Sequence, residues 1–485
     1  AGCGSAGRNG CDTLEARLCQ DLEWLELPAK EWVPAMTIRG RTVREVVVVG
    51  AGMCGLTACA ALIRQGMRDI VAYDAAPEGH EGPWITYARM RTLRSPKQLT
   101  GPALGLPALT FRAWYEAQHG SDGWAALGKI PRGQWMDYLV WYRRVLRLPV
   151  QNDRRVVAMR PFGPAVLELD VAGPDGVEQV LTRHLVLASG RDGLGGAFVP
   201  AMADTVDPCF WAHSADPIDF AALSGRRVGV VGAGASAMDN AATALEAGAA
   251  RLDLFIRRAD IPRVNKFTGI GSQGVVHGFA ALPDAWKWRF LHYVNASQTP
   301  PPRDSTLRVS THPNAHFHLG SPILSLTETD NALLATTPKG QYPLDFLIFA
   351  TGFQFDLTRR PELAAFAPHI RLWQDRFAAP AGLDSAELAQ TPDLAMDYAF
   401  QEKQPGACPH LARIHCFNHH ATLTHGKLSG DIPAVSEGAE RLARGIARAL
   451  FVEDREAHFA ALQAFATPEL QGDEWTDADL LTHTV

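Results

Sequence analysis

No run of apolar residues in this 485-residue sequence reaches the roughly 18 needed to span a bilayer; runs such as Phe346 to Ala350 are the size of a strand. A membrane-spanning helix is not expected. Basic charge is not in excess either. Lys and Arg number 46 against 52 Asp and Glu, a formal net charge of -6, which disfavours nucleic acid or an anionic membrane as partner. Cysteine is sparse: eight residues are scattered along the chain, a usage that suits a reducing compartment, and the cytoplasm is expected. The N-terminus has no basic segment leading into an apolar one, so it does not read as a secretory signal. Its first ten residues, rich in Gly, Ser and Asn, read as disordered or as an appended stretch. Low-complexity tracts and a nucleophile–His–acid set are also lacking.

What is present is organised around glycine. The chain is too long for one compact core, so two or three domains are expected. "VVVVGAGMCGLTACAAL" places Gly50, Gly52 and Gly55 after four valines, Val46 to Val49. "VGVVGAGASAMDNAA" places Gly232, Gly234 and Ala237 in the same way. Each is a β-branched run of the kind buried on both faces of a parallel sheet, then a glycine turn, then a small-residue helix. The first glycine permits the tight turn. The second lets backbone N–H groups approach a pyrophosphate, and the third, Gly or Ala, lets helix and strand pack closely.

The strand after each loop differs. "DIVAYD" ends on Asp74, where a carboxylate takes ribose hydroxyls. "RLDLFIRR" ends on Arg257 and Arg258, and guanidinium groups there favour a 2′-phosphate, hence NADPH over NADH. Two loops with opposite requirements suggest a tightly bound FAD and an exchangeable NADPH.

The expected fold class is α/β, with two dinucleotide-binding (Rossmann-like) domains and the NADPH domain inserted in a discontinuous FAD domain. The boundaries read as an N-terminal extension over 1–45, partly helical through Leu14, Leu18, Leu22 and Leu25. A FAD domain follows over 46–225 and 346–452, enclosing an NADPH domain over 226–345 with an irregular Pro-, Gly- and His-rich insertion at 262–320. A tail covers 453–485. Residues 111–147 read as helical, with Trp114, Trp135, Tyr138, Trp141 and Tyr142 spaced for a buried face rather than a substrate lid. "SEGAERLARGIARALF" reads as an amphipathic helix with Leu442, Ile446 and Leu450 on one face.

As a set, "GAGMCG", "WAHSAD" at 211–216, "GAGASAMDNAA" and "FATGF" at 349–353 resemble the class B flavin-dependent monooxygenases. That group includes the flavin-containing monooxygenases, the Baeyer–Villiger enzymes and the ornithine/lysine N-hydroxylases. The resemblance runs from about Val46 to Leu450. It implies that Gly50, Gly52, Gly55 and Asp74 hold FAD, with Trp84 beside them, and that Gly232, Gly234, Ser236, Ala237, Arg257 and Arg258 hold NADPH. Thr351 and Gly352 fall in the linker strand returning to the FAD domain. "THG", Thr424 to Gly426, resembles the flavin-side segment of the N-hydroxylases, with Leu428 and Ser429 just beyond; backbone N–H groups around His425 and Gly426 would face the flavin pyrimidine edge. The chemistry implied is insertion of one oxygen atom from O₂ into a small organic substrate through a flavin C4a-(hydro)peroxide, and "THG" tilts it towards N-hydroxylation of an amine or amino acid.

The departures are informative. In the family fingerprint F-x-G-x-x-x-H, His213 and Ser214 stand here, but Asp207 and Cys209 occupy the Phe and Gly positions. Where the flavin-containing monooxygenases place an Asn, this chain has Arg94 and Ser95, and Arg94 resembles the active-site arginine of Baeyer–Villiger enzymes. Arg94, Ser95 and His213 are the catalytic candidates. Lys97 reads as a solvated charge.

Other readings rank lower. Baeyer–Villiger or S-oxidation chemistry, an NADPH oxidase making H₂O₂, and a non-catalytic nucleotide sensor keep the same two loops. A disulfide reductase would need a redox Cys pair, and Cys54 and Cys59 do not share a helix face. The histidines of "STHPNAHFHLG" and "HCFNHHATLTH" give no tidy ligand quartet, so no metal is expected. Assembly into a homo-oligomer is compatible with the sequence.

Overall fold

The computed structural model describes residues 5–479, with side chains from residue 10. Two parallel sheets organise the chain, one around each glycine loop. In the first, Arg41–Val49 lies at the centre, parallel to Ile70–Tyr73 on one side and to Gly176–Leu187 on the other. Val46 to Val48 are fully buried, because helices cover both faces of the strand. Ile414–Cys416 adds a parallel strand beyond Gly176–Leu187, although it comes from 230 residues further along. An antiparallel pair, Arg155–Phe162 and Val166–Gly173, extends the other part of that strand.

The second sheet is wholly parallel, in the order Ala315–His318, Arg251–Phe255, Arg227–Val231, Phe346–Phe349, Trp211–His213. Its outer two strands on one side correct the sequence reading. Trp211–His213 and Phe346–Phe349 belong to this sheet, whereas both had been placed in the FAD domain. A three-residue strand carries too little periodicity to be assigned from sequence. Phe353–Phe355 pairs antiparallel with Gly195–Ala197, tying the return linker to the first lobe.

Two further expectations are corrected. The N-terminal helix begins at Ser5, inside the stretch expected to be disordered, and runs to Trp24; residues 1–4 lie outside the described residues. The 262–320 insertion is not irregular. It holds the helices Gln273–Gly278, Asp284–Ser297 and Arg303–Ser310. Pro283 and Pro302 stand immediately before the last two, where a missing N–H and a fixed φ start a helix rather than break one. The insertion builds its own small core of Phe279, Trp288 and Leu291 against Trp373, Leu388 and Leu423.

The aromatic residues of Phe111–Ala126 and Arg132–Val145 are core, with Trp135, Tyr138 and Tyr142 fully buried. The amphipathic helix forms over Val435–Glu453 and buries Leu442, Ile446 and Leu450. Among the described residues, no helix is long and apolar enough to cross a membrane.

Candidate active site

Each glycine loop is built as its residues dictate. Gly50 has φ +98°, and a Cβ there would lie 2.5 Å from the Ala188 carbonyl oxygen. A Cβ on Gly55 would lie 1.8 Å from the Gly50 carbonyl oxygen, so only glycine lets this helix cross the strand so closely. Gly52 precedes the helix Met53–Arg64, whose first N–H groups receive no side-chain cap. They are free to receive an anion. The Asp74 carboxylate accepts from the N–H of Ala51 at 2.7 Å and of Ala76 at 2.8 Å, one bond per oxygen. Each oxygen keeps a lone pair for ribose hydroxyls. Trp84 lies beside this loop, because a Cβ on Gly82 would stand 3.7 Å from its indole nitrogen and 3.9 Å from Gly52 Cα. That indole N–H is buried and has no partner among the described residues, which fits a dinucleotide seated here.

The second loop repeats the plan with one change. Gly232 has φ +133°, and the third position is Ala237, fully buried with its Cβ 3.3 Å from where a Gly232 Cβ would be. A Cβ on Gly234 would meet nothing within 4 Å among the described residues: the space at the N-terminus of Ala235–Glu246 is open to a pyrophosphate. Ser236 Oγ donates to Ser214 Oγ at 2.9 Å, joining the loop to the end of Trp211–His213. Arg257 is exposed, and Arg258 donates to the Ala296 carbonyl at 3.0 Å.

His213 stands between the lobes. Its Nδ1 accepts from the Ala215 N–H at 3.1 Å, so the neutral ring carries its proton on Nε2, which is buried without a partner. The ring meets Phe353 edge-on at 5.7 Å, and burial holds its pKa below the usual histidine range. Thr351 donates to the Phe198 carbonyl, and the Phe198 N–H donates to the Gly352 carbonyl at 2.9 Å. These two residues therefore fasten the linker. Asp207 caps the Cys209 N–H at 2.8 Å, so the altered fingerprint positions form an ordinary capped turn.

The segment from Asn418 to Ser429 differs most from expectation. His425 is fully buried, stacked on Tyr398 with ring centroids 3.9 Å apart. Its Nε2 faces the Ala395 carbonyl at 2.9 Å and its Nδ1 faces Arg441 at 3.1 Å. Both ring nitrogens are used, and burial and Arg441 push the imidazole down to about 3. The Gly426 N–H donates to the Thr422 carbonyl at 2.9 Å. The His425 ring nitrogens and the Gly426 N–H thus have partners within the protein, and the ring acts as a packing pin.

The residues that close on the first glycine loop include Asn418, His419 and His420, which the sequence left without a ligand role. Asn418 reaches the Leu187 carbonyl and Ser189 at 3.4 Å, Ser429 Oγ donates to the Asn418 carbonyl at 2.6 Å, and Cys54 Sγ contacts the Ser429 carbonyl at 3.4 Å. The 418–429 segment thus closes on the first glycine loop. His419 is open to solvent yet hemmed in by protein, and its imidazole is pushed down to about 3, first by burial, then by Arg191 and Lys427 with His420. Burial, Arg360 and Arg191 push His420 down to about 4. Arg191 follows the C-terminal end of a parallel strand, the edge where such sheets bind ligands, and that signal was available in the sequence.

The remaining candidates lie towards the second lobe. Arg94 is exposed and donates to the Pro300 carbonyl at 2.8 Å. It lines a cleft of about 730 Å³ between the lobes, together with Lys129, Asp260 to Arg263 and Pro300 to Arg303. Ser95 is half-buried and next to it in the chain. Lys97 is not solvated: its ammonium caps the carbonyls of Trp124 and Leu127 at the end of a helix and lies over the Trp124 ring.

Comparison with known proteins follows the same lines. Residues 47–191 match a family model described as FAD-NAD(P)-binding, and residues 125–295 match one described as L-lysine 6-monooxygenase/L-ornithine 5-monooxygenase. The chain is 41% identical over 466 residues to a FAD-dependent urate hydroxylase of Xanthomonas campestris pv. campestris, covering 95% of this chain and 97% of that protein. Among solved structures it resembles an ornithine hydroxylase of Pseudomonas aeruginosa (TM-score 0.64, 16% identity, 84% of this chain and 100% of that one). It also resembles an L-lysine 6-monooxygenase of Pseudomonas syringae (TM-score 0.62, 20% identity, 84% and 99%).

Proposed function

The chain belongs to the family of FAD-dependent monooxygenases that includes this urate hydroxylase, and from that premise we propose that its substrate is urate or a closely related anionic purine, hydroxylated at the expense of NADPH and O₂. The overall balance is substrate, O₂, NADPH and a proton giving hydroxylated substrate, water and NADP⁺. Bound FAD supplies the two-electron chemistry that splits O₂ between product and water. The chain's own residues bind, orient and shield. Gly52 and Gly234 leave room for the two pyrophosphates, and Asp74 takes the FAD ribose. The His213 Nε2–H is a fixed donor between the lobes.

The observation that carries the substrate assignment is the sign of the charge on the flavin-side wall. Arg191 and Lys427 lie near His419, and Arg360 and Arg191 near His420. Arg360 is paired with Asp192 at 3.2 Å and Glu362 at 3.8 Å, and Lys427 with Asp431 at 3.9 Å, which leaves Arg191 as the cation with no ion pair among the described residues. An unpaired guanidinium here favours a planar anion over a free ammonium. His420 Nδ1 lies 3.2 Å from Asn418 Oδ1 and keeps its proton there, leaving Nε2 to accept, whereas the exposed His419 imidazole can donate and accept at a purine edge. Amine N-hydroxylation is the second reading, supported by the lysine/ornithine monooxygenase match over 125–295. NADPH oxidation by the FAD-loaded protein, measured with urate, xanthine, ornithine and lysine in turn, separates them: urate is expected to accelerate it and the two amines to leave it at the basal rate. Acceleration by an amine alone would replace the first reading by the second. Cys19, Cys54, Cys59, Cys209, Cys408 and Cys416 are free thiols, which supports a cytoplasmic location.

A further inference from the structure

The C-terminal helix forms an arm that overhangs the first lobe. Val435–Glu453 is followed, after Asp454 alone, by Arg455–Ala464, a helix about 15 Å long. His458, Phe459, Leu462 and Phe465 fall at i, i+1, i+4 and i+7 and make one stripe. Its first turn is docked: the His458 ring stacks on Phe451 with centroids 4.4 Å apart and lies 5.9 Å from Trp32. The rest is uncovered. Phe459, Leu462 and Phe465 keep 59%, 70% and 72% of their surface exposed. Phe451 and Val452 before the helix, and Leu470 and Trp475 after it, are each more than half exposed.

The arm is not a loose end. At the joint, the buried Arg183 holds Glu453 at 2.9 Å and Asp454 at 2.8 Å, and Arg413 holds Glu453 at 2.9 Å. Arg183 belongs to Gly176–Leu187, so the first sheet fixes where the arm leaves the body. Together these apolar side chains leave on the order of 800 Å² uncovered. That exceeds the few hundred Å² of the usual largest patch on a monomer and is about what one partner of a standard interface buries.

Charge selects the occupant. Arg448 and Arg455, on the body side of the stripe, are exposed and enter no ion pair among the described residues; Arg455 donates to the Val452 carbonyl at 3.1 Å. Beyond Arg455 the sequence has no Lys or Arg, and Glu469, Asp473, Glu474 and Asp477 follow. One patch thus carries a basic end, an apolar middle and an acidic end. A two-fold axis requires a patch complementary to itself in this way. A helix that lies on a bilayer carries Lys and Arg along its polar face, which this one lacks.

We propose that the arm is a dimerisation element and that its occupant is a second copy of this chain. The two Arg455–Ala464 helices cross antiparallel about a two-fold axis. Phe459, Leu462 and Phe465 of one copy pack on the same stripe of the other, and Arg448 and Arg455 face the acidic stretch 469–477 of the partner.

Sedimentation velocity of the full-length, FAD-loaded protein over a range of concentration and salt is the test. Wild type should sediment as a dimer at micromolar concentration. Phe459→Asp with Leu462→Asp should weaken the dimer about a hundredfold or more while flavin content and circular dichroism stay as in wild type, because both side chains are exposed in the single chain. Arg448→Glu with Arg455→Glu should weaken it about tenfold at low salt and less at high salt, and adding Glu469→Arg and Asp473→Arg to that chain should restore part of the loss. A wild-type monomer at every concentration, or a dimer untouched by the two Asp substitutions, would overturn the proposal. Failure of the reversed charges to restore the dimer would overturn the antiparallel crossing. A monomer that sediments with phosphatidylcholine vesicles, and stops doing so in the Asp variant, would give the stripe to a bilayer instead.

Discussion

Glycines at different positions of the two loops predict opposite consequences for the same small change. Glycine to alanine adds one methyl group. At Gly55 that methyl would stand 1.8 Å from the Gly50 carbonyl oxygen, a backbone atom, and 2.8 Å from its carbon. Neither can swing aside, so the helix Met53–Arg64, which buries nine residues, must lift off its strand by about 1 Å or more. Overpacking of this kind costs about 1–3 kcal/mol, against a helix-propensity gain of about 0.5–1 kcal/mol for Gly to Ala. At Gly52 and Gly234 the methyl is tolerated by the fold. Their φ values are -65° and -85°, the nearest atom to a Gly52 Cβ is 3.8 Å away, and nothing among the described residues lies within 4 Å of a Gly234 Cβ. There the methyl occupies the approach of the phosphates. Flavin content and urea midpoints of the three variants, with and without added FAD, are the assay. Gly55→Ala should lose stability even as apoprotein. Gly52→Ala should match the wild-type apoprotein but fail to hold FAD, and Gly234→Ala should hold FAD while binding NADP⁺ at least about tenfold more weakly, about 1.4 kcal/mol. Stoichiometric FAD and wild-type stability in Gly55→Ala, or full nucleotide affinity in Gly52→Ala and Gly234→Ala, would refute the cradle geometry.

Acid should destabilise the fold through its buried imidazoles. His184 Nδ1 and His415 Nε2 are 3.0 Å apart and fully buried, and burial lowers the pKa of both, as it does for His420 and His425. Unfolded, these groups protonate near about pH 6.5, so below that pH the unfolded state binds more protons and stability falls, by about 1.4 kcal/mol per pH unit for each imidazole kept neutral. Glu45, raised by burial to about 7, opposes this between its unfolded value and about 7, but it is one group against six, His213 and His419 being lowered as well. Urea midpoints should hold above about pH 7 and drop between about 6.5 and 4, and a flat profile would contradict the argument. Replacing His184 and His415 together by Leu should reduce the slope by about a third. Arg257 and Arg258 replaced by Ala should raise the KM for NADPH well above any change for NADH; equal effects on both would remove these residues from 2′-phosphate recognition. Arg191→Gln should raise the KM for urate about tenfold or more with little change in the KM for NADPH, and an unchanged urate KM would remove Arg191 from the substrate wall.

The glycine loops were legible because they are backbone constraints. A turn with positive φ at Gly50 and Gly232, and a crossing that excludes a Cβ at Gly55, can be met by few residues, so the residue types declare the geometry. The valine run announced a strand buried on both faces for the same reason. The flavin-side wall was not legible. "HCFNHHATLTH" brings His419, His420 and His425 close in sequence, but it does not say which ring is clamped by Tyr398 and Arg441 and which opens to solvent. That choice is made by the 395–398 turn and the C-terminal helix, both remote from the motif. The insertion misled for a local reason: its prolines sit at helix starts, where they favour the helix, and a composition reading counts them only as breakers. Lys97 shows the same limit, since a helix end 27 residues away decides that its charge is a cap.

The central claim is that one oxygen atom of O₂ ends in an anionic purine. It is tested most directly by supplying the FAD-loaded protein with NADPH, urate and oxygen-18 gas and weighing the product by mass spectrometry. The account predicts one labelled oxygen per product molecule, NADPH and urate consumed in equal amounts, and little hydrogen peroxide. Label found only in hydrogen peroxide, with urate unchanged, would contradict it.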